Sequence, residues 1–224
     1  MGAVDMPKQI DVVIWDLVGV YLNDPRREIV SDISRHTDKE YRVVADAFTK
    51  PPLNTSLKVG GITFEDFVQE AGKKIGYKGD LFHEIDWKQA WFSRYKPRDG
   101  IEELVTEVKE KGRKNISLSD NFRELVDFLE DRYSFMRHFD GCVWSFDEHV
   151  RMRKPTVKIY RETLRMAECE GYQSLYLDDS VENCGFAGRL GINTVHVEPV
   201  RDDNRVLQAI RQELRKHGIM VRKK

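Results

Sequence analysis

A chain of 224 residues, 40% hydrophobic and 33% charged with a formal net charge of -1, has the composition of an ordinary folded domain. It is not disordered, collagen-like or low in complexity, and its balanced charge offers no general attraction to nucleic acid or an acidic membrane. No stretch approaches the roughly 20 apolar residues of a membrane span. Ile10 to Leu17 (IDVVIWDL) is a β-branched, apolar run closing on an Asp, and it predicts a strand buried on both faces of a parallel sheet. Asn115–Leu118, Cys142–Phe146, Ser174–Leu177 and Thr194–Val197 repeat the pattern. Between them lie helical stretches. Ile101, Leu104, Val105 and Val108 recur at helical spacing, with Asp99 and Glu102 placed as a capping pair and Gly112 as a stop. Pro155 suits a first helical turn ahead of the stripe Tyr160, Leu164 and Ala167, and Asp202 to His217 reads as a closing amphipathic helix. Strands alternating with helices in this way predict an α/β fold: a Rossmann-like, doubly wound parallel sheet.

Residues 24–96 break the alternation, since they contain no convincing strand but several helix starts: Thr37 with Glu40, Thr63 with Asp66, and a Trp-rich stretch from Phe82 to Tyr95. LNTSLKVGG reads as a loop between two of these helices. The block is therefore expected to be a helical cap inserted after the first strand into a core of residues 1–23 and 97–224. Its aromatics, Trp87, Trp91, Phe92 and Tyr95, are expected to fill the cap interior. Cys142, Cys169 and Cys184 lack CxxC spacing and read as reduced, buried thiols of a cytoplasmic protein. MGAVDMPKQ lacks the order of a signal peptide, and Met6 breaks the myristoylation pattern that Met-Gly begins. The basic end of the chain reads as a solvated helix face with a frayed tip rather than a nucleic-acid patch.

Open parallel sheets bind ligands beyond the carboxyl ends of their strands, so the residues just after each apolar run are the candidates. These are Asp16, then Ser119 and Asp120, then Asp178 and Asp179, with Lys154 in the loop RMRKP. Mg²⁺ favours near-octahedral oxygen ligation by one or two carboxylates plus water and phosphate, a need that Asp16, Asp179 and a backbone carbonyl near Val18 would meet. Beside such a cation an Asp can approach a phosphate and act as a nucleophile. Lys154 would neutralise charge, while Ser119 with neighbouring backbone N–H groups would hold phosphate oxygens. Asn183, in a first helical turn, would orient the loop by hydrogen bonding. Ser119 with Asp120, and Asp178 with Asp179, also stand where helix N-caps would, a competing role for each pair. His196 inside a strand reads as structural.

The ordered set DLVGV, SLSDN, RMRKPTVKIY and LDDSVEN followed by AGRLGI resembles the haloacid dehalogenase superfamily. Within it, the set is similar to the branch of the epoxide-hydrolase amino-terminal phosphatase domain and small sugar-phosphate phosphatases. The resemblance implies Asp16 as nucleophile, Ser119 as phosphate-binding hydroxyl, Lys154 as charge-stabilising lysine and Asp179 as metal ligand. It gives Asp178 as a ligand or an outer partner of the ligands. It further implies Mg²⁺ as cofactor and a small phosphorylated metabolite as partner; a homodimer is left open. One position departs: phosphatases of the family usually carry an acid–base Asp two residues after the nucleophile, and here that residue is Val18. General acid–base help is typically worth 10²–10⁴-fold. The departure therefore keeps open a haloacid dehalogenase or phosphonate hydrolase using the same Asp16, and a catalytically silent binding protein.

Overall fold

The structure, a computed structural model, describes residues 9–220. The amino-terminal stretch that reads as neither signal nor acylation sequence, and the terminal RKK, lie outside the described residues. Five strands form one parallel sheet: β1 (Val12–Trp15), β2 (Lys114–Ser119), β3 (Gly141–Trp144), β4 (Ser174–Asp178) and β5 (Asn193–His196), in the order β3-β2-β1-β4-β5. All five expected strands are present, each within a few residues of its apolar run. Because β1 is central and its neighbours are β2 on one side and β4 on the other, the chain reverses winding direction beside it. That crevice is where such sheets bind ligands.

Seven α-helices follow β1 before the chain returns to the sheet, and the first six fall within residues 24–96: α1 (Arg26–Thr37), α2 (Tyr41–Thr49), α3 (Leu53–Lys58), α4 (Phe64–Lys74), α5 (Leu81–Glu84) and α6 (Trp87–Ala90). Then come α7 (Ile101–Glu110), α8 (Arg123–Tyr133), α9 (Val157–Ala167), α10 (Val181–Arg189) and α11 (Asp203–Lys216). Period-two alternation along the strands sorts the layers. Val13, Trp15, Leu175 and Leu177 pack on the side of α7, α8 and α11. Val12, Ile14, Ile116, Leu118 and Tyr176 pack on the side of α9 and α10. The buried residues of α1–α6 join the first of these clusters rather than forming one of their own.

Several local expectations need correction. Thr37 closes α1, its hydroxyl donating to the Ile33 carbonyl at 2.8 Å, and α2 starts after Glu40 with no side-chain cap. The segment LNTSLK is itself helix α3, leaving only Val59–Gly61 as the turn. Asp99 does not cap α7: Gly100 occupies that position at φ +84°, and the Asp99 N–H donates instead to Asp203. Pro155 lies just ahead of α9, with Thr156 at its N-cap. The capping box of Thr63 and Asp66 and the stop at Gly112 (φ +73°) are present as read. Cys184 is buried, whereas Cys142 and Cys169 are half-buried; all three are free thiols.

One fully buried polar residue ties the middle of the sheet to its covering helix. Asn115 accepts from Trp15 Nε1 at 2.9 Å and donates to the Val105 carbonyl of α7 at 3.0 Å. A buried group stripped of its partner costs about 1–3 kcal/mol. Asn115→Ala orphans the Trp15 indole N–H and removes the second bond of the Val105 carbonyl, and it should lower the unfolding free energy by about 1–3 kcal/mol in urea titrations. A loss below about 0.5 kcal/mol would show that neither bond contributes.

Candidate active site

The carboxyl ends of β1, β2 and β4 and the loop before α9 converge on one cleft of about 450 Å³, within the usual size range of small-molecule sites. Asp16 follows β1 directly. Its backbone N–H donates to the Leu177 carbonyl of β4 at 2.9 Å, and its Oδ1 accepts from the Leu17 N–H at 2.7 Å. Lys154 Nζ lies 2.8 Å from Asp16 Oδ1 and 2.8 Å from Asp178 Oδ2, all three groups being buried. The lysine also reaches the Leu118 carbonyl at 3.4 Å, which fixes it between β2 and β4.

The three acids of the cleft are not equivalent. Asp178 is fully enclosed, and both its oxygens are engaged: by Lys154, by the Tyr176 hydroxyl, by the Ser180 N–H at 2.7 Å and by Asn183 Nδ2 at 3.1 and 3.2 Å. Burial opposes its charge, yet Lys154 and these donors hold its carboxyl below the usual range. Burial pushes Asp16 well above that range, with Lys154 opposing and Asp178 and Asp179 adding to the rise. Asp179 is raised as well, first by burial and then by Asp178. Oxygens of Asp16, Asp178 and Asp179 lie within 4.8 Å of one another. Two carboxylates driven toward neutrality beside a third that stays charged make a set whose repulsion a divalent cation would relieve. The donor set, hard oxygens only, suits Mg²⁺ or Ca²⁺ rather than a soft metal. With Asp178 saturated by the protein, Asp16 and Asp179 are the carboxylates left to coordinate.

The remaining sequence candidates fall around this centre. Val18 and Ser119 line the cleft. Asp120 lines it too, but its carboxylate is taken by Arg153 Nε at 3.0 Å and by the Lys154 N–H at 2.9 Å, so it braces the lysine loop. Neither Ser119 nor Asp120 caps a helix, because Phe122 is the N-cap residue of α8. Ser180, not the acidic pair, caps α10, accepting from the Asn183 N–H at 3.3 Å. His196 ends β5, with Nε2 3.1 Å from the Asp179 carbonyl. Trp91 and Tyr95 are buried, as expected of interior aromatics, and also line the cleft.

Four further lining residues are not among the candidates read from the sequence: Arg26, Lys58, Asn121 and Arg153. Asn121 is buried, and its Nδ2 has no hydrogen-bond partner among the described residues, which leaves a donor for a ligand oxygen. Its place two residues past Ser119 was the clue within SLSDN. Arg153 stands beside Lys154 within RMRKP, whereas Arg26 and Lys58 arrive from segments with no motif, and only the tertiary fold brings those two in.

A family model of haloacid dehalogenase-like hydrolases matches residues 10–191, so the chain belongs to that family of hydrolases. Solved structures agree on the fold. A family enzyme from Bacteroides thetaiotaomicron, in a magnesium complex, is 20% identical with a TM-score of 0.73, covering 90% of this chain and 100% of that one. The same enzyme with magnesium and inorganic phosphate gives 21% and 0.68, covering 86% and 96%. An L-2-haloacid dehalogenase from Xanthobacter autotrophicus, with chloropropionic acid covalently bound, gives 16% and 0.64, covering 95% and 85%.

The turn after Asp16 sets the spacing of the acids. Gly19 takes φ +99°, and a Cβ there would stand 2.3 Å from Asp179 Oδ2. Gly19→Ala must therefore displace Asp179. Divalent-cation affinity, measured by calorimetric titration, should fall about 10–100-fold, the scale seen when the support of a ligand is lost. Unchanged affinity would remove Asp179 from the cation site.

Proposed function

We propose that the protein is a Mg²⁺-dependent phosphatase that hydrolyses a small phosphate monoester through an aspartyl-phosphate on Asp16. The observation that carries this reading is the Asp16 carboxylate at the cleft, 2.8 Å from a buried ammonium and beside two further carboxylates. Asp16, Asp179 and the Val18 carbonyl would hold the ion, with Asp178 as an outer partner. Bound there, Mg²⁺ supplies the positive charge that lets an anionic nucleophile and an anionic phosphoryl group meet. Magnesium and inorganic phosphate in the Bacteroides enzyme fit the same reading.

Each residue then has a task in the reaction. Asp16 attacks phosphorus in line with the departing oxygen. Lys154, held protonated by Asp16 and Asp178 against the cost of burial, opposes the rise that burial gives the Asp16 carboxyl and faces the charge that spreads over the phosphoryl oxygens. The Ser119 hydroxyl and Asn121 Nδ2 offer donors to those oxygens. Asn183 and Ser180 hold Asp178, and through it the lysine. Water attack on the aspartyl-phosphate restores Asp16. Residues 24–96 serve as the cap that closes over the substrate, and Trp91 and Tyr95 form part of its apolar lining.

Asp16→Asn should reduce phosphate release from p-nitrophenyl phosphate to background, and EDTA should do the same reversibly. Activity that persists through either change sinks the proposal. Chloride release from 2-chloropropionate that survives EDTA would instead establish a dehalogenase. A wild type without turnover that gains it on Val18→Asp would establish the silent binding protein.

A further inference from the structure

The phosphatase reading leaves the departing oxygen without a proton source, because Val18 stands where the family's acid–base Asp usually does. Beside its acids, hydroxyls and amides, the cleft carries four cationic side chains and one phenol: Arg26, Lys58, Arg153, Lys154 and Tyr95. Three of the four cations are committed. Arg26 pairs with Asp24 at 2.6 Å, Arg153 with Asp120 at 3.0 Å, and Lys154 with Asp16 and Asp178. Burial pushes the Tyr95 hydroxyl up to about 12, too weak an acid to serve near neutral pH. Lys58 remains, with no ion pair among the described residues.

Its position is fixed by the loops that build the site. Lys58 is the last residue of α3, and its carbonyl accepts from Ser145 Oγ at 2.6 Å. Ser145 Oγ in turn accepts from the Asn121 N–H at 3.1 Å. One turn earlier, Thr55 Oγ1 accepts from Arg153 Nη1 at 3.1 Å. Helix α3 is thus tied at two points to the core loops carrying Asn121 and Lys154. Around the amine, Asp120 and Asp16 favour the charged form while Arg153 and Arg26 oppose it, and Asp24 also feels its charge. Burial outweighs these and pushes the group down to about 8. An amine so placed is mostly protonated at neutral pH yet able to give its proton up.

We propose that Lys58, supplied by the cap, is the general acid of phosphoryl transfer, in the role that Val18 cannot fill. As Asp16 Oδ bonds to phosphorus, the P–O bond to the leaving group breaks and its electron pair stays on that oxygen. A proton from Lys58 Nζ completes the departing alcohol. In the second half, the neutral amine takes a proton from the water that attacks the aspartyl-phosphate, which restores the ammonium and releases phosphate. The inference rests on the phosphatase reading of the same cleft.

Leaving groups of different basicity test it. An alkoxide needs the proton, whereas nitrophenolate does not. K58M should lower kcat/KM for an alkyl phosphate by about 10²–10⁴-fold and for p-nitrophenyl phosphate by only a few fold. The alkyl-ester kcat/KM of the wild type should fall as pH rises through about 8, and that limb should vanish in K58M. K58R keeps the charge but donates poorly, so it should not restore alkyl-ester turnover. Equal losses on both esters, or rescue by K58R, would make Lys58 a binding or structural cation and overturn the proposal. So would a wild type that cleaves only p-nitrophenyl phosphate. Absence of Asp16-dependent release from either ester removes the phosphatase reading and this inference with it; an intact phosphatase indifferent to K58M removes the inference alone.

Discussion

The arrangement at the cleft depends on one buried ammonium shared by two carboxylates. Lys154 lies 2.8 Å from both Asp16 and Asp178, and none of the three is appreciably exposed. Removing one partner of a buried ion pair typically costs about 3–5 kcal/mol, because the other charge is stranded away from water. The chain therefore invests heavily in keeping the three together: Asp120 holds the Lys154 backbone, Tyr176, Ser180 and Asn183 hold Asp178, and Leu17 holds Asp16. These braces come from the ends of β1, β2 and β4 and the start of α10, so the sheet order is what makes the triad geometrically available.

One positive charge between two negative ones leaves an excess, and Asp179 adds to it. The site resolves this by dividing labour among its acids. Asp178 spends its oxygens on protein donors, while Asp16 and Asp179 are left under-solvated. An acid held in that condition is reactive toward whatever relieves it, a cation or an electrophile. The same logic explains why a glycine follows at position 19: backbone packed against the Asp179 carboxylate keeps the under-solvated acids close.

Much of this was legible in the chain. Continuous apolar runs ending in Asp or Ser located the strands and, with them, Asp16, Ser119, Asp178 and Asp179, because a parallel sheet puts strand ends on one edge. Lys154 was visible only through its motif. Helix boundaries in residues 24–96 were less legible. Thr37 has the chemistry of a cap but uses its hydroxyl on its own helix, and a turn-like composition did not prevent α3 from forming against the core. Lys58 and Arg26 were invisible for another reason. Their importance lies in what the tertiary fold leaves paired or unpaired, a property no local pattern encodes.

Helix α4 stacks Phe64 on Phe122, which sits just past Ser119 and Asp120, with ring centres 5.2 Å apart and planes 3° from parallel. Trp91 and Phe92 meet the same two rings, so the seam between residues 24–96 and helix α8 is a shared aromatic interior rather than a surface contact. Exchanging residues 24–96 for another segment would have to replace half of that interior at once. Change by point substitution inside the existing helices is thus open, and change by exchanging the whole segment is largely closed.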